Sequence, residues 1–363
     1  MRRTNTLEKV MEKRPEGIIK KLGAKSKVCL LDSHKIFNIL KDKKVIIMAC
    51  NIRIKHVIAG IMRAAEELDA IVAFELARSE GNVEGGYTGQ TPQIFFDTVI
   101  GYAEKTGFSK PFFIHGDHIT VKDTSEKEIE TARGLIKAEL EAGYTSFAID
   151  ASHNYIPDNV RITTELVRPI VAKNFGLEVE VGEIKAIQDG GEITSVEEAV
   201  TYIDGLDKNG IHPDLLAINN GSKHGNYKAG EEVHIHLDRT GEIYNAIKGK
   251  GICIAQHGIT GTPLTMVGQF ADYGIRKGNV GTEWQNIAHR HIPKDLMAEM
   301  NKWCDDNKKD LKFATKPFKA KIDSIPTSNI KSMEEDAYKS AKDFIKAFRA
   351  VGTAGMVIEA LGK

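Results

Sequence analysis

The sequence predicts a single (β/α)8 barrel, and three observations lead there. Eight short apolar runs, rich in β-branched residues, recur along the 363-residue chain. Amphipathic helical patterns separate them. A polar or ionisable residue stands at or just after the C-terminal end of every run. Apolar runs without clean alternation suit strands buried on both faces, as in a parallel sheet. Strands alternating with helices build right-handed βαβ units, and eight such units close into a barrel.

In chain order, strands are expected at Val45–Cys50, Ala70–Ala77, Pro111–His115, Thr145–Ile149, Leu177–Val181, Leu215–Ile218, Gly251–Ala255 and Ile275–Val280. Ser125-Glu126-Lys127-Glu128 reads as a capping box opening a helix that runs to about Ala142, with Gly143 as its stop. Ser195-Val196-Glu197-Glu198 opens another in the same way. Before the first strand, residues 1–44 look partly helical, and Ile36–Leu40 is a candidate to pack under the barrel floor. Ser79–Pro92, rich in glycine, is a long loop after strand two. Lys308–Pro326 is lysine-rich with prolines, and Ser332–Ala350 reads as a surface helix. One domain over 1–363 is expected, with a barrel core at about 45–300 and a C-terminal extension at about 301–363, flanked by helical extensions at both ends.

Composition excludes some functions. Lys+Arg and Asp+Glu are both 50, so no overall field favours nucleic acid or an anionic membrane. The four cysteines, Cys29, Cys50, Cys253 and Cys304, form no CxxC pair, so neither a zinc ribbon nor a redox pair is written here. No apolar stretch follows the basic N-terminal residues, and no run of about 18 apolar residues occurs. A cytoplasmic protein acting on a small molecule is expected, with no nucleic-acid or membrane partner.

The polar residues carry the functional signal. Asn51, Ser79, Asp117, His118, Asp150, Glu180, His224, His257 and Asn279 each sit near the C-terminal end of a predicted strand. Barrel active sites occupy that face. Singly, each has a bland reading: a loop histidine usually makes only a hydrogen bond, and Asp or Asn after a strand often caps the next helix. His118, His224 and His257, each after a different strand, are harder to dismiss together. Three histidines leave one zinc position open, as catalysis requires; the same donors suit Co, Fe or Mn. Gly258-Ile259-Thr260-Gly261-Thr262 resembles a phosphate cradle of backbone N–H groups and a hydroxyl. It follows strand seven, where barrel phosphate sites are frequently built with the strand-eight loop.

At these residues the chain resembles the class II, metal-dependent fructose-bisphosphate and tagatose-bisphosphate aldolases. The matching segments are His115-Gly116-Asp117-His118, Ala148–His153, Glu178-Val179-Glu180-Val181-Gly182, Ser222-Lys223-His224-Gly225, His257–Gly261 and Asn279-Val280-Gly281-Thr282. The resemblance implies that His118, His224 and His257 bind a catalytic Zn2+ and that Asp117 moves the proton of the substrate hydroxyl. It implies a second or alternative metal position at Asp150 and Glu180. It implies phosphate and a monovalent cation near Gly225, Gly258, Thr260, Gly261, Asn279 and Thr282. Ser79, Asn51 and Lys277 match substrate-side positions. The implied protein is a homo-oligomeric lyase of glycolysis and gluconeogenesis, cleaving a ketose 1,6-bisphosphate to dihydroxyacetone phosphate and an aldehyde.

Two departures stand out. The family commonly has an acidic pair on the loop after strand five, where this chain runs from Glu183 through Gln188 to Glu192, leaving either glutamate as proton donor. It commonly has aspartate where this chain has Gly281, which leaves open tagatose bisphosphate or a modified sugar phosphate. A metal-dependent barrel hydrolase or epimerase, and a catalytically silent binding protein, are the competing readings; the carboxylate of Asp117 beside His118 argues against the last.

Overall fold

The computed structural model describes residues 2–183, 191–223, 225–226 and 231–363. Eight parallel strands close into a barrel in sequence order. They are β1 Ile47–Asn51, β2 Val72–Ala77, β3 Phe112–Thr120, β4 Ser146–Asp150, β5 Gly176–Val181, β6 Leu215–Ile218, β7 Cys253–Gln256 and β8 Ile275–Val280. β8 pairs with β1 and completes the ring. This is the predicted architecture, and β6 and β8 match their expected bounds at both ends.

β3 departs most. It continues past His115 to Thr120, with a register shift between Gly116 and Ile119. Gly116 and Asp117 are poor strand formers, so propensity alone ends the strand too early. The ladder resumes because Ile119 pairs with Ile149 and Thr120 with Asp150. His118, inside the bulge, has φ 40, a left-handed conformation that few non-glycine residues adopt. Asp117 and His118 therefore lie within the strand, and the bulge re-aims them, rather than in a loop after it.

The expected capping box at Ser195 is complete: Glu198 N donates to Ser195 Oγ at 3.1 Å, and Ser195 N donates to Glu198 Oε2 at 2.7 Å. At Ser125 only half of it forms. Glu128 N donates to Ser125 Oγ, but the Glu128 carboxylate pairs with Arg78 Nη1 at 2.9 Å, and Ser125 N donates instead to Asp123 Oδ1 at 2.8 Å. The helix still runs Glu126–Ala142 and stops at Gly143, whose φ of 112 is left-handed.

The helix Ser33–Leu40 plugs the barrel floor. Its Ile36, Phe37 and Leu40 pack with Ile47, Ala49, Ile71, Ala73, Phe113, Leu215, Ala217, Cys253 and Ala255, the lowest inward side chains. Phe37 meets Phe113 edge-on, with ring centroids 5.8 Å apart. The helix Thr327–Ala347 begins five residues before the predicted Ser332, directly after Pro326, which suits the position before a helix. It is more than a surface helix: Met333, Ala337, Ala341, Phe344 and Ile345 are buried. It packs against Ile58–Glu67, where a Cβ on Gly60 would stand 2.1 Å from Glu334 O. Among the described residues no helix is long and apolar enough to cross a membrane.

Candidate active site and metal centre

A stride of two along each strand sorts the barrel interior into layers. In β3 the inward series is Phe113, His115, Asp117; in β5 it continues from Glu178 to Glu180; in β8 from Lys277 to Asn279. The floor layer is apolar. The middle layer holds Glu75, His115, Glu178 and Lys277, each at most 1% exposed. The top layer opens into a cleft of about 590 Å3 at the C-terminal face. Asn51, Ser79, Asp117, His118, Asp150, Glu180, Gly225, His257, Gly258, Thr260, Asn279 and Thr282 all line it.

Asp117 sits at the centre of the top layer. Its Oδ2 accepts from Asn51 Nδ2 at 2.8 Å and its Oδ1 from Asn279 Nδ2 at 3.0 Å. Burial works to raise its pKa, but His118, Lys277 and His257 and the Asn51 bond hold it below the usual carboxylate range. These neighbours favour its charged form, and both of its oxygens are oriented.

His118 Nδ1 lies 2.7 Å from Glu180 Oε1 and 3.7 Å from Asp150 Oδ2. Its ring centroid is 4.2 Å from that of His257. His257 Nε2 lies 2.9 Å from Glu178 Oε1. Ligand atoms of Asp117, His118 and His257 lie within 4.8 Å of one another, as do those of His118, Asp150 and Glu180 and those of Glu178, Glu180 and His257. Burial lowers the His118 pKa, yet Glu180, Asp117 and Asp150 drive it well up, so the place favours a positive charge. A proton and a divalent cation answer the same field. Burial and Asp150 push Glu180 up to about 8, against the pull of His118. This crowding of carboxylates around two imidazoles fits a divalent metal.

The strand-seven and strand-eight loops meet beside it. Thr260 Oγ1 accepts from Glu283 N at 3.1 Å, tying the first loop to the start of the helix Thr282–His291. Gly258 has φ 67, and a Cβ there would lie 2.5 Å from Lys223 O, so this close approach requires glycine.

Comparison with known proteins agrees with this geometry. A family model described as class-II fructose-bisphosphate aldolase matches residues 32–353. The chain belongs to that family. A fructose-bisphosphate aldolase of Streptococcus pneumoniae is 30% identical over 230 residues, 62% of this chain and 70% of the relative. One of Geobacillus stearothermophilus is 31% identical over 247 residues, 66% of this chain and 76% of the relative. Among solved structures, the YdjI aldolase of Escherichia coli K12 superposes with a TM-score of 0.63 at 19% identity, covering 90% of this chain and 99% of that one. The fructose-bisphosphate aldolase of Campylobacter jejuni does so with 0.63 at 18%, covering 89% and 97%. Class-II aldolases are lyases and generally depend on a metal.

Within this class-II aldolase, two expected site residues fall outside the cleft. Lys277 is fully buried one layer beneath it, because the stride of two puts it below Asn279. Gly261 is exposed, beyond the turn that carries Thr260. His224 and Gln188 lie outside the described residues. Of the two loop acids, Glu183 lines the cleft and Glu192 does not.

Sequence reasoning passed over several residues. Glu178, Glu75 and His115 form the middle layer, and their signal was an ionisable residue two before each top-layer residue or inside an apolar strand. Arg53, two after Asn51, lines the cleft; its Nε donates to Glu80 Oε1 at 2.7 Å and its Nη1 to Gln285 Oε1 at 2.6 Å. Arg78, Lys122, His153 and Lys312 add basic groups to the rim.

Proposed function

We propose that this enzyme performs reversible retro-aldol cleavage of a ketose 1,6-bisphosphate, with fructose 1,6-bisphosphate as first candidate. The products are dihydroxyacetone phosphate and glyceraldehyde 3-phosphate. The observation that carries the reading is the Asp117 carboxylate, held by two amides directly beside the His118–His257 pair.

In the proposed reaction, Asp117 takes the proton from the hydroxyl on the aldehyde-side carbon as the adjoining carbon–carbon bond breaks. The electron pair stays on the triose half, next to its ketone. His118, His257 and His224 would hold a divalent metal, with Asp150 or Glu180 as a second position, and when bound it would supply Lewis acidity toward that ketone. Zinc is the proposed metal. Glu183, on the cleft wall, is the proposed donor of the proton that quenches the triose carbanion. The Gly258–Thr260 and Asn279–Thr282 loops, with Gly225, are proposed to hold one phosphate with a monovalent cation, away from the reacting bond. The basic rim of Arg78, Lys122 and Lys312 supports a second anion at the other end of the substrate. A cytoplasmic homo-oligomer serving glycolysis and gluconeogenesis is the corresponding cellular reading.

A second substrate reading has an observation in its favour. A Cβ on Gly281 would stand 3.2 Å from Arg53 Nη2, so a guanidinium occupies the space beside it. Gly281 lines the cleft, and its lack of a side chain where the family commonly has aspartate supports tagatose bisphosphate or a modified sugar phosphate as the six-carbon substrate.

The deciding experiment follows triose-phosphate release from fructose 1,6-bisphosphate, with and without a chelator and against tagatose 1,6-bisphosphate. Chelator-sensitive release, restored by Zn2+, is expected. Chelator-resistant release would falsify the metal mechanism.

A further inference from the structure

We propose that Lys277 is a positioning residue of this centre: its buried ammonium holds Glu178 against His257 and turns the Asn279 amide toward Asp117. The proposal rests on the reading of His257 as a metal ligand and Asp117 as proton acceptor.

Lys277 has no exposed surface, and a buried ammonium is costly unless each N–H finds an acceptor. One hydrogen bond, to Asn279, and ion pairs with two carboxylates surround it. Nζ lies 2.9 Å from Glu178 Oε2, 3.3 Å from Glu75 Oε2 and 2.9 Å from Asn279 Oδ1. Two arms lead from this hub to the reacting layer.

The first arm runs through Glu178. One of its oxygens is held by Lys277, and the other lies 2.9 Å from His257 Nε2. A carboxylate facing Nε2 selects the tautomer with its proton there, which assigns metal ligation to Nδ1 and fixes the ring plane. If Lys277 is removed, Glu178 loses its anchor and the His257 ring loses its orientation.

The second arm runs through Asn279. Its Oδ1 accepts from Lys277, so its Nδ2 faces Glu75 Oε1 at 2.7 Å and Asp117 Oδ1 at 3.0 Å. A flipped amide would point its oxygen at two carboxylates and its nitrogen at an ammonium. Lys277 therefore locks the orientation that the two carboxylates also favour, and through it one of the two bonds on Asp117. A single cation thus sets the geometry of a metal ligand and of the base together.

The competing account is charge balance alone, with Lys277 merely offsetting buried carboxylates. A double variant separates the two. Lys277→Met leaves Glu75 and Glu178 without their cation and is expected to lose stability. Lys277→Met with Glu75→Gln removes one charge of each sign. If Lys277 only balances charge, the double variant regains stability, metal affinity and turnover together. If it positions, the double variant regains its melting temperature but not the centre. Chelator-stripped proteins would be titrated with Zn2+ alone against a chromophoric competitor, and with Co2+ for its visible spectrum. We expect the double variant to bind Zn2+ about 10–100-fold more weakly, with a shifted Co2+ band. Its kcat should fall while KM changes little. Lys277→Arg keeps a cation and donors in place and should lie between it and the natural chain. Natural affinity and spectrum in the double variant would overturn the proposal. A natural chain that binds no stoichiometric metal would instead overturn the metal-centre reading beneath it.

Discussion

The two ends of the barrel are built from the same strands to opposite specifications. At the floor, Phe37, Phe113, Ile47 and Leu215 interdigitate without a charge among them. At the mouth, Asp117, Asp150, Glu180, His118 and His257 crowd into one cleft. The floor gains stability from apolar burial, which is non-directional and additive over area. The mouth gathers like charges that oppose folding unless cations and amides answer each one. The middle layer, with Lys277 between Glu75 and Glu178, is where one regime passes into the other. Stability and chemistry thus occupy different heights of one interior, and each can be perturbed separately.

The largest separation is expected from Asp117→Ala. It should lower kcat by about 10²–10⁴-fold with the fold and bound metal retained, as checked by triose-phosphate release and metal analysis. Loss of metal to the same degree would identify Asp117 as a ligand instead. At the opposite end, Phe37→Ala should cost about 3–5 kcal/mol in urea unfolding and leave KM unchanged. A large change in KM would mean that the floor and mouth are mechanically coupled.

A smaller effect belongs to the cleft wall. Glu183→Gln should slow the exchange of the triose-phosphate proton with solvent more than it raises KM, which isotope exchange measures directly. Unaltered exchange would remove Glu183 from the mechanism.

The smallest effect sits under the floor, at His34. Its Nδ1 lies 2.8 Å from Asp214 Oδ1, and this bond, opposed by burial, raises its pKa. A histidine raised in the folded state contributes stability that is fully present below its unfolded value, about 6.5, and is lost as pH rises through the folded value. The melting-temperature gap between the natural chain and His34→Gln should therefore be wider at about pH 5.5 than at about pH 8.5. A gap that does not narrow with rising pH would show that the pair does not carry charge-linked stability.

Much of this contrast was legible before the fold. β6 and β8 were readable to the residue: β6 is the apolar run Leu-Leu-Ala-Ile, and Ile275 and Val280 mark the two ends of β8. The floor helix was readable from Ile36 and Leu40, since four-residue spacing of apolar side chains marks one helical face. The gathering of Asn51, Asp117, His118, Asp150, Glu180, His257 and Asn279 on one face was readable because parallel strands present all their C-terminal ends together. The β3 bulge was not. It depends on pairing with β4, a contact between residues about thirty apart in sequence. Lys277 was misleading for a similar reason: between Arg276 and Gly278 near a strand end it looks like a hand reaching for substrate, and only its neighbours in space reveal a buried hub.

By itself, the sequence determined the period of each element, the order of the strands and the kind of side chain at each barrel end, since these follow from local spacing and from the C-terminal face shared by parallel strands. Tertiary structure alone decided which carboxylate meets which imidazole, that Arg53 stands beside Gly281, and that Lys277 faces inward between Glu75 and Glu178. Those pairings join strands far apart in the chain. They depend on the register and closure of the barrel, which no local pattern encodes.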